Sequence, residues 1–276
     1  MKTPFPSIKK LLTLTFALSC AHAAWAAPIV TWGPSSAYVG GNTNAAGLSA
    51  GVVPFSDTVA RNPGPTYPNG QPSGTYYGGA SAQNVGGITV WRVLNGASPV
   101  LDALNFGATL NNSETATGVF LWKQADFLNG LNTGNITLDS SNAFSASLNV
   151  SGSSTTGTAR WLVQSAGSYY LSASFALTTT ATSYSRGNPT STQWYNYDPV
   201  TSMTTVGSEW PIPTFSNITA VGVWIESKYV GGTSATSEGR IYDFTAAAIP
   251  EPGTMGLLAL GGIFVSFMVR RRRVSK

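Results

Sequence analysis

Thr158-Ala159-Arg160-Trp161-Leu162-Val163-Gln164, Ser165-Ala166-Gly167 and Tyr169-Tyr170-Leu171-Ser172-Ala173-Ser174-Phe175 follow one another and decide the fold. Two runs rich in aromatic and branched residues flank a short turn that ends in glycine, which is the pattern of a β-hairpin. Working outward, the same period-2 alternation recurs. Residues 144–150 (FSASLNV) alternate cleanly, one face apolar and the other polar. Residues 88–94 (ITVWRVL) carry apolar side chains on both faces, as a largely buried strand does. Residues 218–225 and 240–244 supply two further strands, and 29–32 (IVTW) an edge strand. One short helical stretch is expected, at 123–129, closed by Gly130.

Many short strands separated by Gly, Asn and Pro predict an all-β fold, an antiparallel β-sandwich. A jelly-roll version is preferred over an immunoglobulin-like one. Its unequal connections suit the long loops expected at 54–79 and 186–213. Within the first of these, 62–70 (NPGPTYPNG) reads only as loop. No period of 20–50 residues is present, which excludes propellers and solenoids. An aromatic content of 11% argues against disorder. Residues 27–249 are therefore expected to form one domain.

The two ends read differently from the body. Lys2, Lys9 and Lys10 precede an apolar run from 11 to 19 and then the small residues of 21–26. That order predicts a signal peptide over 1–26. Ala24 and Ala26 meet the small-residue requirement of signal peptidase, so the cut is placed before Ala27; a cut after Ala23 changes nothing downstream. A lipoprotein reading of Cys20 needs an aliphatic residue where Ala17 stands.

At the other end, Pro250-Glu251-Pro252 leads into an uncharged stretch over 253–269, and then Arg270-Arg271-Arg272-Arg273. As a transmembrane helix the stretch spans roughly 25 Å, short of a ~30 Å hydrocarbon core. The arginines form a stop-transfer cluster that stays on the cytoplasmic side and leaves the body outside. Read on physics alone, this is a single-span anchor holding a periplasmic binding domain at the inner membrane.

PEPGTMGLLALGGIFVSFMVRRRR, a Pro-Glu-Pro motif, a short span and an arginine cluster in that order, resembles the PEP-CTERM sorting tail of bacteria. A tail of this kind also carries the label ice-binding protein C-terminal domain. The resemblance implies three segments: a signal peptide at 1–26, an ectodomain at 27–249 and a sorting tail at 250–276. It implies an exported protein whose tail is met in the inner membrane by an exosortase, a membrane-embedded transpeptidase. The enzyme is expected to cut near Pro-Glu-Pro and pass the body to the cell surface or the extracellular matrix. Association with exopolysaccharide is implied as well, since such proteins commonly accompany its production.

Charge and composition narrow the chemistry. The whole chain carries +4, yet only 9% of its residues are charged. The first 26 residues contribute +3 and the last 27 contribute +4, which leaves 27–249 with seven basic and ten acidic side chains. A body at −3 with no basic cluster is not a nucleic-acid binder. The only cysteine and the only histidine, Cys20 and His22, precede the expected cut. A mature body without either type has no Ser-His-Asp or Cys-His catalysis, no thiolate or imidazole metal site and no disulfide.

The exopolysaccharide that the resemblance implies makes carbohydrate chemistry the one to weigh. A glycosidase needs two carboxylates about 5–10 Å apart. Glu226, Glu238 and Asp243 lie on or beside strong strands, so a pair across one sheet is the enzymatic alternative. Their bland reading is solvating charge at strand ends. The favoured role is non-enzymatic, structural or sugar-binding. Trp194, Tyr195, Tyr197 and Trp210 fall in a polar loop region and form the best candidate platform for sugar faces, although packing over the end of the sandwich is the favoured role for them. Trp91, Trp122, Trp161 and Trp224 sit in apolar strand patterns and are expected in the core. No cofactor is expected. A structural calcium ion is considered only at the oxygen-rich stretches 111–114 and 139–142, where turn chemistry is the plainer account. The threonine runs at 155–156 and 178–180 form no lattice of the kind ice binding needs. Asn-x-Ser/Thr sites at Asn111, Asn135, Asn149 and Asn217 are weak signals in a bacterial protein.

Overall fold

Alternating apolar residues become strands because each such run hides one face and shows the other to water. The computed structural model describes residues 26–33, 43–44, 52–59, 76–83, 88–94, 103–128, 130–138, 143–186, 193–210, 215 and 217–250. The first strands are β1 (Ala27–Trp32), β2 (Thr43–Asn44), β3 (Val52–Ser56), β4 (Tyr77–Ala82) and β5 (Ile88–Leu94). Then come β6 (Ala103–Leu110), β7 (Thr115–Lys123), β8 (Ile136–Leu138), β9 (Phe144–Ser151) and β10 (Thr155–Ser165). The rest are β11 (Ser168–Ser172), β12 (Phe175–Leu177), β13 (Thr182–Arg186), β14 (Trp194–Tyr197), β15 (Val206–Trp210), β16 (Ile218–Tyr229) and β17 (Ala235–Pro250).

These strands form two sheets, and the pairings described are antiparallel. The first runs β13-β9-β17-β6-β5-β2, with β1 and β8 also paired to β17. The second runs β15-β14-β11-β10-β16-β7-β4-β3, with β12 paired to β10. The chain passes from one sheet to the other at β6 to β7, β9 to β10 and β16 to β17, so consecutive strands face each other across the core. Residues 27–248 pack as one unit.

Aromatic rings fill the space between the sheets. Trp122 of β7 stacks on Phe244 of β17, with ring centroids 4.4 Å apart and planes 5° from parallel. Phe144 of β9 stacks on Trp161 of β10 at 5.3 Å. Phe106 of β6 meets Phe120 of β7 at 5.9 Å. Phe106 fits because Gly118 and Gly239, one from each sheet, leave room for its ring; a Cβ at either would collide with it. Burying a large aromatic ring contributes roughly 3 kcal/mol, and among the described residues eight aromatic side chains in this core are fully buried.

The central hairpin forms as read. β10 and β11 pair from Leu162↔Leu171 to Ser165↔Ser168. The turn takes two residues, Ala166 and Gly167, with φ of 48° and 85°. Two positive φ values are what a type I′ turn needs to match strand twist. The second strand stops at Ser172, whose hydroxyl accepts from the Trp161 N–H at 2.9 Å and donates to the Ala173 carbonyl. β12 then continues the pairing with β10 through Ala159↔Phe175.

The expected loops and helix need correction, and the expected strand at 29–32 forms. The regions 54–79 and 186–213 are not unbroken loops: β3 and β4 occupy the described ends of the first, and β14 and β15 lie inside the second. The helical stretch at 123–129 is a single 3-10 turn, Gln124–Asp126, too short to bury a face. The edge strand at 29–32 is β1, and its side chains Ile29, Val30 and Trp32 are buried against β17. The 253–269 span lies outside the described residues. Among the described residues no helix is long and apolar enough to cross a membrane.

Candidate functional site

Strand parity sorts the nine-stranded sheet into two faces. Trp161, Val163, Val223, Ile225, Phe120 and Trp122 point into the shared core. Their neighbours point outward, and on this outer face Val119, Leu121, Leu162, Leu171, Tyr197, Met203, Ala220 and Trp224 form a second apolar cluster. An apolar outer face must be covered, and the connection between β14 and β15 covers it. The Met203 carbonyl accepts two buried donors, Tyr197 Oη at 2.9 Å and Trp224 Nε1 at 2.8 Å. Burial pushes the Tyr197 phenol well above its ordinary range.

The same connection is shaped by Asp198. Its carboxylate accepts from Thr201 Oγ1 at 2.6 Å and from the backbone N–H groups of Thr201 and Val200 at 3.3 and 3.1 Å. Those bonds, the Thr201 hydroxyl first, hold the exposed carboxyl below 3.8. Between this connection and the Ala166-Gly167 turn lies an open cleft of about 610 Å³. Ser168, Tyr169, Asn196, Asp198, Thr201 and Thr205 give it hydroxyl, amide, carboxylate and aromatic groups, and none of the described lining residues is basic.

Tyr169 ties the cleft to a polar chain along the same face. Its hydroxyl donates to Asp57 Oδ2 at 2.9 Å, and its ring stands edge-on to Phe55 at 5.6 Å. Burial, then the bond to Asp57, pushes the Tyr169 phenol far up. Lys123 Nζ lies 4.0 Å from Asp57 and 5.7 Å from the Tyr77 ring centre. Tyr77 in turn donates to Asp126 at 3.2 Å. Further along, the Arg160 guanidinium lies 5.2 Å from the Tyr195 ring and 5.9 Å from that of Trp224, with Nη1 donating to the Ser172 carbonyl at 2.8 Å. Burial pushes the nearby Glu226 carboxyl above 4.5, partly offset by Lys228 and Arg160.

The four rings expected in a loop are in strands and do not share a face. Trp194 is buried on the inner side, edge-on to Phe215 at 4.6 Å. Its cross-strand partner Trp210 is 41% exposed and lies 6.0 Å from Tyr170. Tyr195 and Tyr197 point to the outer side, Tyr195 half-exposed and Tyr197 buried. A flat platform of all four does not form, because residues 194 and 195 of one strand must point opposite ways.

The carboxylates are likewise separated. Glu226 belongs to β16, whereas Glu238 and Asp243 belong to β17 in the other sheet. Glu238 is bound by Arg240 Nη2 at 2.6 Å, and Asp243 accepts from the Ser147 N–H at 2.8 Å. Glu226 therefore makes no pair across one sheet with Glu238 or Asp243. At 111–114, Glu114 accepts from the Asn111 N–H and Nδ2, which is turn chemistry; 139–142 lies outside the described residues. Among the described residues no three His, Cys, Asp or Glu side chains gather. Glu251, Pro252, Ala24 and Arg270–Arg273 are outside the described residues, and Pro250 ends β17.

Sequence reading missed the cleft. Its one local signal was Asn196-Tyr197-Asp198-Pro199, an Asp-Pro step that favours a turn. Nothing local could bring Tyr169 and Asp57 to it.

Residues 248–273 match the PEP-CTERM protein-sorting motif. No curated protein matches the chain. The matched segment begins at Ala248, inside β17 and two residues before Pro250. A protein bearing this motif is exported and processed by an exosortase.

Proposed function

We propose that the chain is a cell-surface or extracellular-matrix protein, released from its tail by an exosortase, whose 27–249 ectodomain binds an extracellular polysaccharide without cleaving it. The single observation that carries the export is the sorting motif at 248–273. A signal peptide cut before Ala27 by signal peptidase and a transient stay in the inner membrane complete the route.

The strand order supports a jelly roll for the ectodomain. β6-β17-β9-β13 and β7-β16-β10-β11 are the two four-stranded cores, and the chain alternates between them. The outer face of the second core carries the cleft. Sugar recognition uses hydroxyl, amide and carboxylate groups beside an aromatic ring, and Tyr169, Asn196, Asp198 and Thr201 supply that set. With a carboxylate and no described base in the cleft, the ligand class is a neutral or amino-sugar polymer, not an acidic one.

Two measurements test this. Intact mass of the protein recovered from cells should show a chain that ends near Pro250; a chain retaining 253–276 in the inner membrane would replace sorting with permanent anchoring. Affinity electrophoresis of the 27–249 body should show retention by neutral glucan or partly deacetylated glucosamine polymer and none by alginate. Asn196→Ala and Asp198→Ala should each weaken that retention about tenfold. Loss of polymer length during the assay would point instead to a carboxylate-dependent hydrolase.

A further inference from the structure

The N-terminal strand and the sorting segment are neighbours. β1 pairs antiparallel with the end of β17, and its first rung is Ala27↔Ala248, followed by Pro28↔Ala247, Val30↔Ala246, Thr31↔Thr245 and Trp32↔Phe244. The pairing is buried from Ile29 onward, while Ala26 and Pro28 are exposed and Ala27 is half-buried: Ile29 and Val30 are fully enclosed, and Trp32 lies 6.3 Å from Trp122. On its other side the end of β17 is held by β9, with the Ala247 N–H donating to the Ala143 carbonyl at 3.0 Å. Thus the residue after the expected signal-peptidase cut, Ala27, is the rung opposite the first residue of the sorting match, Ala248.

A peptidase takes its substrate as an extended chain whose backbone is free. The 26–27 bond adjoins the first rung, so closure of the ladder takes the backbone on its C-terminal side into a paired strand that a peptidase cannot bind. Among the described strands β17 is also the last to leave the ribosome; until it arrives β1 lacks its strand partner, although the Ile29 carbonyl accepts from the Leu128 N–H at 2.9 Å. We propose that β1 and β17 form a clasp that closes after the signal peptide is cut, so that the fold imposes an order: N-terminal cleavage, then closure. A precursor that closes first is trapped with its signal peptide attached. The inference rests on the signal-peptide reading above and adds the order of cleavage and closure.

The full precursor, folded in detergent and incubated with purified signal peptidase, tests it. Cleavage of a closed site proceeds through its open fraction. The folded precursor should be cut at least about tenfold more slowly than its Val30→Asp variant, in which a buried charge expels β1. Tryptophan fluorescence reports whether that variant keeps the rest of the fold. A second variant needs no loss of packing: Thr31→Cys with Thr245→Cys, in a Cys20→Ser background, locks two cross-strand partners. Its oxidised precursor should resist the peptidase, and reduction should restore the parent rate. Equal cutting of the folded, opened and locked precursors overturns the clasp. The N-terminal mass of protein taken from cells reads the premise separately: a start at Ala27 with equal cutting rates refutes only the clasp, and a chain that still begins at Met1 removes the signal reading beneath it.

Discussion

Trp122 and Phe244 lie face to face across the two sheets, 4.4 Å apart and 5° from parallel. Each also touches a second ring, Trp122 through Trp32 at 6.3 Å and Phe244 through Phe144 at 6.4 Å. The pair is therefore the node where β1, β7, β9 and β17 meet. Trp122→Ala or Phe244→Ala should cost about 3–5 kcal/mol, the range for deleting a buried aromatic ring. The double variant should lose less than the two summed, because the stack is counted twice. Urea denaturation of the 27–249 body measures all three.

The β10–β11 turn holds alanine at a left-handed position. Ala166 has φ of 48°, a conformation that costs an L-residue roughly 1 kcal/mol and that Asn tolerates better. Ala166→Asn should therefore stabilise by about 0.5 kcal/mol. Gly167→Ala should destabilise by about 1 kcal/mol, since φ there is 85° although nothing lies within 4 Å of a new Cβ. Opposite shifts in thermal midpoint for two adjacent residues are the expected result.

Glu226 gives a pH dependence whose sign follows from its environment. Burial raises its carboxyl above 4.5 in the fold, so the protonated form is favoured there. Stability contributed by this residue then falls as pH rises from 4.5 through the raised value, and stays low above it. Glu226→Gln, which cannot ionise, should raise the urea midpoint at pH 7 and match the parent at pH 3. A variant less stable than the parent at pH 7 would show that Arg160 and Lys228 more than offset the burial.

Tyr197 couples the cleft to the apolar cover beneath it. Tyr197→Phe removes one of the two donors on the Met203 carbonyl and leaves Trp224 as the other. The cost should be about 1 kcal/mol, with amide exchange rising over 198–205 and not in β10 or β16.

Much of the fold was legible because it is local. The hairpin over 158–175, β9 and β16 follow from alternation alone, and Leu148, Trp161 and Val223 face the core as their parity requires. β17 shows where that logic stops. A bulge between Ile241 and Asp243 lets Ile241 and Phe244 both face inward, three positions apart. No alternation rule anticipates the extra residue, since the bulge is set by pairing with β9 and not by the strand itself.

The candidate site was less legible for the same reason. Trp194, Tyr195, Tyr197 and Trp210 are close in sequence and look like one aromatic cluster. Pairing with β11 turns their region into strands and divides the rings between two faces. The cleft instead takes Tyr169 from a hairpin, Asn196 and Asp198 from another, and is braced by Asp57 from β3's end.

By itself the sequence determined the strand-rich class, the basic ends, the near −3 charge of the body and the sorting tail. Each of these depends on residue type, spacing or order along the chain. Only the tertiary structure decided that Ala27 meets Ala248, that Gly118 and Gly239 share one ring, and that a carboxylate and a tyrosine border one cleft. Those are contacts between residues far apart in the chain. Their partners are chosen by which strands the sheets place side by side, and no short window of sequence contains that choice.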